Sequence, residues 1–223
     1  MAKSLIIFDL DGTLLNTIGD LGNACNHALS SLGYPIHGLA SYPMMVGNGI
    51  TKLIERALPD DVRTPEKIVE ARSIFIEYYN HHCCDLTKPY PGIQQLLAEL
   101  TKRGVNLAVA SNKYQEAVTK IIAHYFPDDN FKAILGNREG VPTKPDPSVV
   151  FEVLSECPTP KAEVLYVGDS GIDIETARRA CIESVGVTWG FRPEKELKDA
   201  YADHIISDPD SILDIIGNNS LTQ

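Results

Sequence analysis

The chain has 223 residues, 43% of them hydrophobic and 22% charged, with a formal net charge of −10. That is enough apolar material for one large domain, or for a domain carrying a smaller insert. An acidic chain with no basic run is a poor partner for nucleic acid or an anionic membrane surface. A small anion can still bind where a local cation or a metal offsets the field. No stretch approaches the roughly 18 apolar residues of a membrane span. The apolar run near the N-terminus stops at an acid and is too short for a signal peptide. The cysteines (Cys25, Cys83, Cys84, Cys157 and Cys181) are odd in number and irregular in spacing, which argues against a disulfide framework and fits a reducing cytoplasm.

In chain order, "SLIIF" opens as a buried strand, apolar throughout and rich in β-formers. Similar runs recur at 105–110, 133–135, 164–168, 184–187 and 204–207. Helical patterns lie between most of them. Ile93, Leu96, Leu97 and Leu100 follow the i, i+3, i+4, i+7 rule, and Gly104 stops that helix. Asp146-Pro147 reads as an N-cap and first helical position, and Asp208-Pro209 repeats the signal. Strands alternating with helices over short connections predict an α/β fold, a doubly wound parallel sheet with a Rossmann-like core. The polar tail after Ile216 is expected to fray.

Residues 17–86 break the alternation. No strand pattern appears there. Three helical stretches do, the last opening with Thr64 as N-cap and Pro65 behind it. The expectation is a core of residues 1–16 and 87–223 with an inserted helical cap over 17–86. An insert that leaves the carboxyl end of a strand sits over the place where open α/β sheets bind ligands, which is where a lid belongs.

Every strand of a parallel sheet points its carboxyl end to the same edge, so the residues after the strands converge. Asp9 and Asp11 follow the first, Ser111, Asn112 and Lys113 the second, Lys144 a later loop, and Asp169 and Asp173 the next. Carboxylates crowded on one crest repel unless cations intervene. Lys144 is one. A hard divalent ion held by oxygens is the natural second, and Mg²⁺ suits a site with few carboxylates plus a phosphate. A metal, a lysine, a hydroxyl and an attacking carboxylate are the parts of phosphoryl transfer. Side chains two apart on an extended chain face the same way, which sets Asp9 and Asp11 beside one phosphoryl group. Gly12 permits a sharp turn that would bring backbone N–H groups onto phosphate oxygens.

"DLDGT", "SNK", "KPDP" and "GDSGID", in this order and spacing, resemble the four motifs of the haloacid dehalogenase-like hydrolases, and the insert after the first motif resembles the helical-cap branch. The "VGNG" at 46–49, "ERAL" at 55–58 and "SVGVTWGFRPEKEL" resemble its phosphoglycolate phosphatases. The resemblance implies Asp9 as nucleophile and Asp11 as general acid and base. It implies Ser111, with Asn112 beside it, on phosphoryl oxygens, and Lys144 on both nucleophile and phosphoryl group. Mg²⁺ would be held by Asp9, Asp169 and the backbone carbonyl of Asp11, with Asp173 behind them or orienting Lys144. The substrate would be a small phosphorylated metabolite, and the chain a cytoplasmic monomer or homodimer. Gly12, and Gly47 and Asn48 in the cap turn with Arg192 from the core, are the remaining substrate-binding candidates. Pro43 stands where such sequences carry a basic residue. That departure bears on the non-phosphate end of the substrate, not on the chemistry.

Rival readings fit less well. In a calcium loop Gly would be sixth and Glu twelfth, whereas Gly12 is fourth and Asp20 twelfth counting from Asp9. A receiver domain of a signalling relay would be about half this length and lack a cap. A phosphate-binding scaffold need not keep every chemical residue. Within the superfamily, phosphatases of sugar phosphates or pyrophosphate and hexose-phosphate mutases are the alternatives. "HHCC" at 81–84 reads as a helix end, because zinc motifs space their ligands. Lys113 and Arg56 read as solvated charges and receive no role.

Overall fold

The structure, a computed structural model, describes residues 2–128 and 131–217. Most of the tail expected to fray lies outside the described residues. Strands β1 (Leu5–Phe8) and β2 (Leu15–Asn16) come first, then helices α1 (Ile18–Ser31), α2 (Gly49–Ala57) and α3 (Pro65–His82). Strand β3 (Lys88–Pro89) leads to α4 (Ile93–Lys102), β4 (Asn106–Tyr114), α5 (Gln115–Tyr125), β5 (Phe131–Asn137) and α6 (Ser148–Glu156). The chain ends with β6 (Val164–Gly168), α7 (Gly171–Ala180), β7 (Glu183–Val187), α8 (Glu194–Asp199), β8 (His204–Ile206) and α9 (Ser211–Ile215).

Six strands form one sheet in the order β5-β4-β1-β6-β7-β8, each neighbouring pair parallel. The period of two is explicit in the packing. Ile6 and Phe8 of β1, Leu107 and Val109 of β4, and Leu165 and Val167 of β6 meet α4, α5 and α9 on one face. Leu5, Ile7, Ala108, Ala110, Val164 and Tyr166 meet α6 and α7 on the other. Two covered faces explain why these strands read as continuous apolar runs. The order reverses at β1, which runs between β4 and β6, so the crevice at their carboxyl ends is the switch point of a doubly wound sheet.

Local signals placed most helices to within a residue or two. Thr64 caps α3 as expected, its hydroxyl accepting the Lys67 N–H at 3.3 Å. The two Asp-Pro signals run ahead of their helices: α6 begins at Ser148, whose N–H Asp146 accepts at 2.9 Å, and α9 begins at Ser211. "HHCC" closes α3, with Cys83 buried as its C-cap.

Helices α1, α2 and α3 pack on one another through Leu21, Leu53, Ile54, Phe75 and Tyr79. Two short crossings join this helical group to the sheet. At one, β2 and β3 pair antiparallel, Leu15 opposite Pro89 and Asn16 opposite Lys88. At the other, the buried carboxylate of Asp20 accepts the Leu86 and Thr87 N–H groups at 2.9 and 2.8 Å and the Thr87 hydroxyl at 2.7 Å. The first turn of α1 is thus clasped to the two residues that lead into β3, 66 and 67 positions later. Asp20→Ala leaves three donors without their acceptor, the two of Thr87 in the interior, and should cost about 2–4 kcal/mol in urea unfolding. An unchanged midpoint would show that the clasp contributes nothing.

Candidate active site

Asp9 follows β1 directly, and its N–H donates to Val167 O of β6 at 2.9 Å, so the nucleophile candidate is fixed to the sheet by its own backbone. The chain then turns back sharply. Gly12 adopts φ +91°, a region glycine enters without a Cβ penalty. The N–H of Gly12 itself stays within the turn. That N–H donates to Leu15 O at 2.9 Å. The glycine is needed for space: a Cβ there would overlap the Asp169 carboxylate. Gly190, after β7, is as close: a Cβ there would overlap both Asp169 and the Gly12 carbonyl. Between the two glycines, Asp169 accepts the Phe191 N–H at 2.6 Å.

Lys144 is the hub. Its ammonium lies 2.8 Å from Asp9 Oδ1, 2.7 Å from Asp173 Oδ1 and 2.9 Å from Ala110 O, in a fully interior position. Asp173 spends its second oxygen on α7, accepting the Ser170 N–H at 3.2 Å and hydroxyl at 2.6 Å in a capping box. Asp173 therefore holds Lys144 from behind. Oxygens of Asp9, Asp169 and Asp173 all lie within 4.8 Å of one another. Burial pushes the Asp9 carboxyl up to about 7, with Asp173 and Asp11 adding and Lys144 opposing. Burial, then Asp173 and Asp9, hold Asp169 well above the ordinary carboxylate range. Burial works against the Lys144 charge, but Asp173 and Asp9 prevail and raise it. Three carboxylates against one ammonium is an excess of negative charge on hard oxygen donors, which is the chemistry a magnesium-sized cation satisfies.

The Asp11 side chain stands apart from this cluster; Asp173, not Asp11, supplies its third carboxylate. Asp11 accepts the Thr17 hydroxyl at 2.7 Å and the Lys113 ammonium at 2.9 and 3.1 Å. Lys113 is thus no solvated charge. It is buried, and with Ser111 it lines the same cavity. The alternation that paired positions 9 and 11 also pairs 111 and 113, and was signal enough to find it. β4 itself runs on through the motif to Tyr114, with a register irregularity after Ala110.

Asn112 braces Lys144. It accepts the Lys144 N–H at 2.9 Å and donates to Lys144 O at 3.1 Å and to Gly47 O at 3.0 Å. Its side-chain amide is thus spent on backbone groups and positions Lys144 and the Gly47 turn, while the residue also lines the cavity. Arg192 donates to Val46 O at 2.7 Å. These two core residues grip the Val46-Gly47 turn by its carbonyls. Gly47 (φ +112°), Gly49 and Arg192 line the cavity; Asn48 and Pro43 do not. The Asn48 side chain is held by Arg56 at 2.7 Å, and Arg56 also donates to Met45 O at 2.7 Å, so Arg56 builds the turn rather than facing solvent.

The result is a cleft of about 660 Å³, counting its open mouth, between the strand crest and the helical insert. Its floor is charged. Its roof, from Leu21, Val46, Ile50, Leu53 and Phe75, is apolar. A nucleophilic carboxylate on a buried lysine, a hydroxyl at Ser111 and a second acid at Asp11 can together accept and release a phosphoryl group.

The chain belongs to the haloacid dehalogenase-like hydrolases, whose family profile matches residues 6–187. It is a phosphatase of that family, similar to phosphoglycolate phosphatases. The phosphoglycolate phosphatase of Vibrio cholerae is 33% identical over 95% of this chain and 96% of its own length. That of Pectobacterium atrosepticum is 31% identical over 96% and 93%. A crystal structure from Lactobacillus delbrueckii subsp. bulgaricus superposes with a TM-score of 0.90 at 30% identity, covering 97% of this chain and 99% of that one. No helix among the described residues is long and apolar enough to cross a membrane.

Gly190→Ala tests the space around Asp169. Turnover of a phosphomonoester should fall by about 10²-fold, the usual penalty for displacing a catalytic group by about an ångström. Activity within threefold of the parent would show that the close approach of Gly190 is dispensable.

Proposed function

We propose that the chain is a Mg²⁺-dependent phosphomonoester hydrolase that works through an aspartyl-phosphate, with 2-phosphoglycolate as substrate and glycolate and phosphate as products. The observation that carries the reading is Asp9 held at 2.8 Å by a buried Lys144 inside a three-carboxylate cluster. Asp9 and Asp169, with the Asp11 carbonyl, would hold Mg²⁺. When bound, the ion supplies charge neutralisation and keeps the phosphoryl oxygens in line with the nucleophile.

In this reading the Asp9 carboxylate attacks phosphorus and the ester P–O bond breaks. Lys144 and the Ser111 hydroxyl hold the phosphoryl oxygens. Asp11 gives its proton to the departing alkoxide, then takes one from the water that cleaves the acyl phosphate, which regenerates both carboxyl groups. Residues 1–16 and 87–223 carry this chemistry, and residues 17–86 form the lid that excludes water. Relatives named for phosphoglycolate hydrolysis that match over nearly the whole chain support the substrate assignment, as do the cations Lys113 and Arg192 in the cavity wall. Five free cysteines fit the cytoplasm.

Chelation should abolish turnover and Mg²⁺ should restore it; full activity in EDTA would sink the metal assignment. Asp11→Asn should lower kcat by about 10²–10⁴-fold, the worth of general acid–base catalysis, while phosphate still binds. A kcat within threefold of the parent would remove Asp11 from proton transfer.

The metal should also show in stability. Asp9 titrates above its unfolded value of about 4, so its protonated form stabilises the fold below that pH. That contribution is lost as the pH rises through about 7. Mg²⁺ favours the ionised cluster, so it should raise Tm more at pH 8 than at pH 5.5. Equal shifts at the two pH values would contradict a carboxylate metal site.

A further inference from the structure

Among the described residues, Lys113 is a buried cation with one anionic partner. Its side chain is 3% exposed, and its ammonium meets both oxygens of Asp11 at 2.9 and 3.1 Å. Its other neighbour is neutral: the ammonium lies 4.7 Å from the centroid of the Tyr79 ring, which favours the cation whatever its partner. The other cavity cations are more fully committed. Lys144 is divided among Asp9, Asp173 and Ala110 O. Arg192 is spent on Val46 O, the Met44 sulfur and, at 3.8 Å, Glu196.

Resting on the reading above, Asp11 has to turn an oxygen to the leaving group. It cannot do so while both oxygens face Lys113. Lys113, for its part, cannot give up the Asp11 carboxylate in a buried site without another anion to replace it. We infer that an anionic group at the non-phosphate end of the substrate replaces Asp11 on Lys113, and that this exchange of ion pairs frees the acid for catalysis. One carboxylate takes the place of another, so the charge around the ammonium is conserved. Asp11, released as a carboxylate, takes up a proton from solvent before giving one to the leaving group. A phosphomonoester whose leaving group carries a carboxylate meets the requirement. One with a neutral leaving group leaves the Lys113–Asp11 pair closed. Discrimination then lies in turnover as well as in binding, which a static carboxylate pocket would not give.

The test compares 2-phosphoglycolate with ethyl phosphate, which has the same two-carbon frame without the carboxylate, using the full chain with Mg²⁺. The parent should favour phosphoglycolate in kcat as well as in KM. Lys113→Met should lower the ratio of the two kcat/KM values by about 10- to 100-fold, the worth of a charged hydrogen bond, and Lys113→Arg should recover part of it. A purely structural role would lower both substrates together and leave the ratio unchanged, which overturns the inference. Should Lys113→Met fail to fold, the parent still decides. Equal kcat on the two esters overturns the exchange while leaving the phosphatase reading intact. No turnover of either ester by the parent overturns that reading and the exchange with it.

Discussion

The site depends on one buried ammonium. Lys144 bonds Asp9, Asp173 and the Ala110 carbonyl at once, and joins the end of β1, the middle of β4 and the first turn of α7 at a single point. Without it, three carboxylates would meet in the interior with no positive charge among them, an arrangement that costs several kcal/mol per uncompensated ion. Much of the surrounding structure serves that contact. Asn112 fixes the Lys144 backbone from both sides, and the α7 capping box aims Asp173 at the ammonium. Gly12 and Gly190 open the slot in which Asp169 completes the cluster. Even so, one lysine cannot balance three acids. The remaining negative charge is the observation on which the proposed divalent cation rests.

Polar contacts tie the helical insert to the crest, beside the ring contact of Tyr79 with Tyr114. Asn112 and Arg192 take the Gly47 and Val46 carbonyls, and each donor comes from a strand end that also builds the site. Closure of the roof and organisation of the floor are therefore coupled through the same residues. Asp20, the β2–β3 pair and Thr17 lie where the insert departs and returns, and Thr17 also touches Asp11. Movement of the insert would reach the Asp11 side chain directly through that hydroxyl. The apolar roof excludes water but carries little information about substrate identity, so selectivity rests on the polar rim.

The sheet and its crest were legible because two simple periodicities governed them. Strands buried on both faces read as unbroken apolar runs, and their carboxyl ends had to converge, which brought Asp9, Ser111, Lys144 and Asp169 together on paper. Long-range pairing was less legible. Nothing local to Asp20 says that its carboxylate closes on Leu86 and Thr87. Lys113 looked solvated because lysines mostly are, although its spacing from Ser111 placed it on the cavity side. Asn48 lay in a turn that faces the cavity, yet Arg56, eight residues on, claims its side chain. Gly12 has a second role besides shaping the turn, leaving room for Asp169, a residue that sequence distance hides. In each case the error came from treating a side chain by its neighbours in sequence when a distant partner decided its place.

The central claim is that Asp9 becomes covalently phosphorylated. Borohydride quenching during steady-state turnover of 2-phosphoglycolate, followed by peptide mass mapping, tests it most directly, because reduction of an aspartyl-phosphate leaves homoserine. The account predicts homoserine at residue 9, dependent on both substrate and Mg²⁺. Reduction at another carboxylate, or an unmodified residue 9 in actively turning-over enzyme, would contradict it.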